Sequence, residues 1–348
     1  MQTGADVYRV ACSSCHGPDG TGAAEVVLGF DTPVPDFTDC SFASREPHED
    51  WFAIAHAGGP TRGFDQMMPA FGGALTDEQL ALAAAHVKQL CGNDGWPDGA
   101  FNMPRALLTG KAYPEDEYVW ELESTTKKPV AVQVKLVAET RIGELQQLEV
   151  VVPFGVKQVD TNAADGNTSL RWGEGVGDVG LAWKGVLWHS LSFGTIGSLA
   201  VEVFAPTGDE KDGFSKGTFR LEPFIAIGQL LPGGNFLQLQ GGAELSADTA
   251  KAEHEAFWRL ALGHTFTQGH FGRAWSPMLE VVGVRELEAH GTTNWAVAPV
   301  LHVTLNQRQH VMLVLGAEIP VTDFDQRQIT GRAHLLWDWY DGDFTEGW

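Results

Sequence analysis

The chain has 348 residues, with 23 Lys+Arg against 45 Asp+Glu and a formal net charge of -22. That length allows one large domain or two ordinary ones, and the acidic balance argues against nucleic acid as a partner, since such binding rests on basic contacts to phosphate. No run of about 18 apolar residues exists to form a transmembrane helix, while 12 Trp and 19 Phe could furnish a core or a membrane interface.

The first hundred residues read as short helices joined by Gly/Pro-rich loops. One helix is expected around residues 4–13, another around 49–57, and a last from Thr76. There Thr76 and Gln79 make a capping box, and Leu80, Leu82, Ala83, Val87 and Leu90 supply an apolar face. Three such helices bury little surface alone. The stretch VACSSCHGPDGTG supplies what is missing. Two thiols separated by two residues, Cys12 and Cys15, can reach both vinyl groups of one haem, and the next residue, His16, then faces the iron. No second cysteine pair or nearby histidine pair completes a zinc site instead. The sixth ligand of such an iron is commonly a thioether. Met67 and Met68 are both available, and Met68 is favoured because Pro69 stiffens the loop that presents it. Cys40 and Cys91 can be free thiols or a disulfide; in an exported domain the disulfide is the better reading.

Over residues 1–92 the chain resembles the small class I cytochromes c. The resemblance rests on Gly4 and Tyr8, on the segment from Cys12 to Gly17, on Asp19-Gly20-Thr21-Gly22, and on Met68-Pro69 before the final helix. It implies one covalently bound haem (heme c), a hexacoordinate iron and periplasmic electron transfer. His86 departs from the pattern, standing where the family often carries an aromatic residue. The opening MQTGADVYRV has no signal-peptide character, so a leader is expected to have been removed or left out of this numbering.

Residues 93–115 are rich in Gly, Pro and acidic groups and read as a linker. From 116 to 348 the pattern alternates, as in PVAVQVKLVAE and NFLQLQGGAEL. About twelve such segments start near Glu117, Pro129, Leu145, Glu174, Thr195, Gly217, Asn235, Glu253, Arg273, Thr293, His310 and Ile329. With no helices left to cover it, such a sheet must pack or close. The expected fold is therefore multidomain: a small all-α cytochrome c domain, then an all-β antiparallel up-and-down barrel of about 12 strands. Two features favour a membrane barrel over a soluble sandwich. The polar face carries charge, with Glu149, Asp178, Glu202, Glu222, Glu244, Glu280, Glu318 and Asp338 against Lys135, Lys184, Arg220, Arg259 and Arg332. The connections also alternate long and short, as in barrels whose short turns face the periplasm.

Residues 145–345 resemble the outer-membrane barrels associated with aromatic degradation, through Gly175-Val176-Gly177-Asp178, Pro206-Thr207-Gly208, Glu222-Pro223-Phe224 and an aromatic C-terminus. The joined parts are similar to fused cytochrome–porin proteins. Twelve tilted strands leave a bore of roughly 10–13 Å, too narrow for a haem domain of ~30 Å. The haem domain is thus expected at the periplasmic mouth. Two functions follow: electron transfer at the outer membrane, or a pore for a small, for instance aromatic, molecule with the cytochrome as plug or redox sensor. Catalysis at the iron is disfavoured by Met68 in the sixth position. Expected partners are a redox protein or small electron donor or acceptor, which a metal cation could be, and outer-membrane lipid.

Overall fold

The computed structural model describes residues 3–23, 34–92, 95–162, 168–288 and 290–348. Asn93 and Asp94 of the expected linker, and residues 163–167 of the connection expected before the segment near Glu174, lie outside them.

The N-terminal part is helical: α1 (Gly4–Ala11), α2 (Ser13–His16), α3 (Cys40–Ala43), α4 (His48–Ala57) and α5 (Asp77–Gln89). The expected capping box on α5 is present, with Thr76 and Gln79 satisfying each other's backbone donors. Helices α1 and α5 cross closely at Gly4. A Cβ there would lie 2.1 Å from the Leu82 carbonyl oxygen, so only glycine admits this approach. Cys40 and Cys91 are joined by a disulfide that pins α3 to the end of α5.

Residues 117–338 form β1 (Glu117–Thr125), β2 (Ala131–Ile142), β3 (Gln146–Asn162), β4 (Thr168–Val176), β5 (Val179–Ser190), β6 (Thr195–Ala205), β7 (Arg220–Leu231), β8 (Asn235–Ser246), β9 (Glu255–His264), β10 (Phe266–Thr267), β11 (Ala274–Glu286), β12 (Thr293–Thr304), β13 (Val311–Pro320) and β14 (Thr330–Asp338). The sheet closes where β14 pairs with β1 and β9 with β11. Twelve strands make the circuit, all antiparallel. β4 lies off it and pairs with the outer half of β3, while β5 pairs with the inner half. The connection expected before the segment near Glu174 is therefore mostly paired strand: β4 and β5 are one strand interrupted at Gly177-Asp178, and the count of twelve stands. The break has a reason, since Asp178 turns to accept from the backbone of Gly208 and Lys216 and holds down the β6–β7 loop.

Side chains alternate as the pleat requires. On β1, Glu117 and Val119 are buried inside while Tyr118, Trp120 and Leu122 point out and are exposed. The outer face carries a band of exposed Leu, Val, Ile and Trp, with Leu181 59%, Leu262 51% and Leu279 51% exposed. The short turns, such as residues 143–145, 191–194 and 232–234, lie at the end where β1 begins and β14 finishes.

The interior holds an element that the alternation does not announce. Residues 99–116 run into the lumen from the short-turn end, beginning with a 3-10 turn, Gly99–Phe101. Phe101, Met103, Leu107 and Tyr113 are each at most 6% exposed and pack on an inward apolar belt that includes Val119, Ile196, Phe236 and Leu336. At ~1.5–3 kcal/mol for each large side chain removed from water, these four contribute on the order of 10 kcal/mol before ordering costs. Some of the charged residues on the polar face pair across adjacent strands: Arg220 meets Glu244 at 2.7 Å and Arg332 meets Glu318 at 2.9 Å.

Candidate functional site

The opening motif is built from the backbone outward. Cys12 ends α1, its N–H bonding the Tyr8 carbonyl at 2.8 Å, and the single turn α2 follows at once. That turn sets Cys12, Cys15 and His16 within five residues, with both thiols free and half-buried. The chain then reverses at Gly17, whose φ of +76° suits glycine. The glycine-rich stretch folds back, with Gly22 N–H on His16 O and Ala23 N–H on Cys15 O, both at 2.9 Å. Tyr8 ties the layers together: its hydroxyl donates to Gly17 O at 2.7 Å, and burial raises its pKa to about 12.

His16 is the chemically loaded residue. Phe37 stacks on its ring at 4.7 Å, and its Nδ1 is buried without a partner. Burial pushes its pKa down to about 4, so the ring is neutral and keeps a lone pair for a metal. Burial likewise raises the Cys12 thiol. Met68 arrives from a separate loop after the 3-10 turn Gly59–Arg62. The loop is tied to the end of α4: Gly59 N–H bonds Met68 O at 2.9 Å and Phe71 N–H bonds Ala55 O at 3.1 Å. Met67 is 46% exposed, whereas Met68 is the more sheltered of the two. His86 lies edge-on to Tyr8 at 5.4 Å, so the departure from the aromatic pattern keeps a ring at the α1–α5 crossing.

A haem fits these residues. Two free thiols share one turn with an imidazole that has an unpartnered buried nitrogen, in a domain whose other two cysteines are already bonded to each other. His86 and His56 have other ring partners: His86 packs on Tyr8, and His56 stacks on His270 of the β9–β11 turn at 5.7 Å.

That last contact belongs to a seam missed in the sequence. The helical domain sits on the short-turn end of the barrel. Arg62, 6% exposed, donates to Phe271 O at 2.6 Å and to Asp50 at 2.6 Å. Arg308 donates to Gly63 O at 3.0 Å and lies over Phe64. Arg45 pairs with Asp116 and lies 3.6 Å over the Tyr340 ring. Of the four basic residues among the first hundred, Arg45 and Arg62 are spent on this interface.

Residues 1–87 match the family described as cytochrome c oxidase, cbb3-type, subunit III. A cbb3-type cytochrome c oxidase subunit, FixP, of Sinorhizobium medicae is 35% identical over 96 residues, which cover 26% of this chain and 30% of that protein. Among solved structures, an outer membrane channel from Pseudomonas putida F1 is 14% identical with a TM-score of 0.45, covering 65% of this chain and 96% of that one. The KdgM porin is 10% identical with a TM-score of 0.41, covering 64% and 98%. The chain therefore couples a cytochrome domain, similar over residues 1–87 to the subunit III family of cbb3-type oxidases, to a closed antiparallel barrel of twelve strands.

Proposed function

We propose that this chain is a haem electron-transfer protein of the bacterial outer membrane, holding one covalently attached haem at the periplasmic mouth of its barrel. Residues 1–92 form the haem domain, 93–115 the connecting segment and 116–348 the barrel. The observation that carries the reading is the turn on which free Cys12 and Cys15 stand beside a neutral His16 with an orphaned ring nitrogen.

In this reading Cys12 and Cys15 would take the thioether bonds, and His16 and Met68 would hold the iron. The bound haem supplies one-electron exchange between ferrous and ferric iron, without bond making. The protein's part is to hold the ligands still. Phe37 and the Tyr8 bridge fix the His16 side, and the loop tied to α4 fixes the Met68 side. With His16 and Met68 both engaged by the iron, the protein would act as a carrier.

The location follows from the barrel. Its exposed apolar outer band suits lipid and not water. Barrels of this kind keep short turns in the periplasm, and the helical domain docks at the short-turn end. The haem domain carries 14 acidic and 4 basic residues through position 100, which favours a redox partner with a basic docking patch, or a small cationic donor such as a metal ion. The alternative reading, a pore with the cytochrome as plug or sensor, requires residues 99–116 to leave the lumen.

The ligand set is tested by absorption spectroscopy of the oxidised protein. The sulfur-to-iron charge-transfer band is expected to vanish in Met68→Ala and to survive in Met67→Ala. Survival of the band in Met68→Ala removes Met68 from the iron.

A further inference from the structure

We infer that residues 99–116 are a resident stopper: they close the short-turn half of the lumen, so the barrel anchors the haem domain and does not feed it. The inference rests on the lumen wall and holds whatever the ligands of the iron are.

The first observation is the belt beneath the stopper. Every one of the twelve circuit strands contributes an apolar side chain to one buried ring, from Val119 on β1 round to Leu336 on β14. A water-filled pore has no use for such a ring, because apolar walls facing water are unfavourable. The ring is dry only while Phe101, Met103, Leu107 and Tyr113 cover it.

The second is a clamp. Glu280 is fully buried, and its carboxylate accepts from three successive backbone amides: Leu107 at 2.8 Å, Leu108 at 3.1 Å and Thr109 at 2.8 Å. It also accepts from the Thr109 hydroxyl at 2.7 Å. A buried carboxylate needs such donors to remain charged, and buried amides need an acceptor, so each side would be left unsatisfied without the other.

The third is that the fastening spans the bore. From one side, Gln240 on β8 accepts from Gly110 N–H at 2.9 Å, and Arg259 on β9 donates to Leu108 O at 2.9 Å. From another, Lys184 on β5 donates to Tyr113 O at 2.8 Å. Above this level the lumen turns charged, with Glu202 directly opposite Glu222 and Glu244 directly opposite Glu255. What remains open at the long-loop end is a blind charged vestibule. A diffusing donor that enters it stops at Leu107–Gly110, so exchange partners of the haem domain approach from the short-turn side.

The test uses the full chain, purified in detergent and inserted into planar lipid bilayers in molar KCl. The intact protein is expected to show no step openings. Glu280→Ala strips three buried amides of their acceptor and is expected to introduce step openings that the intact protein lacks. Steady porin-like steps from the intact protein would overturn the inference. Because Glu280→Ala could fail to insert, a second variant leaves the clamp intact: Ala106→Cys, a small change at a residue 2% exposed against the belt. In the inserted protein the thiol at position 106 is expected to stay unlabelled by a charged, water-soluble thiol reagent, read by peptide mass. Labelling at position 106 as fast as in the denatured protein also overturns the inference.

Discussion

At the scale of single residues, the motif expected to hold a haem is local. Its two thiols and imidazole lie on one turn, and one turn is a few consecutive residues. Met68 is different: its choice over Met67 rested on Pro69, and its setting depends on Gly59 and Ala55 bonding a loop several residues away. Gly4 shows how a residue with no side chain can decide packing. Its Cβ position lies against backbone, 2.1 Å from Leu82 O, and backbone cannot swing aside. Gly4→Ala is therefore expected to push α1 and α5 apart and destabilise the haem domain by roughly 1–3 kcal/mol, the usual range for overpacking. Denaturant unfolding followed by haem absorbance measures this, and an unchanged midpoint would show that the crossing yields.

At the scale of elements, two fastenings can be tested. The Cys40–Cys91 bond closes 51 residues, and on the chain-entropy account its removal by Cys40→Ser with Cys91→Ser costs about 4 kcal/mol, seen as a lower melting temperature. The seam carries a proton-dependent contact. Burial, followed by the nearby Asp50, raises the Glu46 carboxyl to about 7, while Asp341 hydrogen-bonds it. Burial and then Glu46 raise Asp341 as well. Asp338, Lys88 and Arg45 also face the pair. A carboxyl raised by docking binds its proton more tightly docked than free, so docking is fully supported below the ordinary carboxyl range. That support is lost as pH rises toward about 7. Limited proteolysis between the two domains is expected to quicken over that window, and Glu46→Gln is expected to flatten the dependence. A rate that ignores pH in the unmodified protein would contradict this assignment.

At the scale of the whole molecule, the charge of -22 sets which partners arrive. A cationic inorganic oxidant is expected to exchange electrons with the haem faster than an anionic one of matched potential. The gap should narrow with salt, since the Debye length falls from ~10 Å at 0.1 M to ~3 Å at 1 M. Stopped-flow absorbance gives both rates. The twelve-strand circuit was legible from alternation alone, because inward and outward positions must differ at every second residue for any wall with two unlike faces. The linker at 93–115 was read from its Gly, Pro and acidic content, which describes a segment without regular structure but says nothing of where that segment lies. Phe101, Met103 and Leu107 within it were the available sign that it is buried.

Local and periodic features needed only the order of residues: the turn that carries Cys12, Cys15 and His16, the α5 cap, the strand count and the two faces of the barrel. Each is set by neighbours within a few positions or by a repeat of two. What occupies the lumen, and how the haem domain is seated, needed the fold. Glu280 meets Leu107 across 173 positions and Arg62 meets Phe271 across 209. Such contacts leave no spacing rule in the chain, because closing the barrel is what brings their partners together.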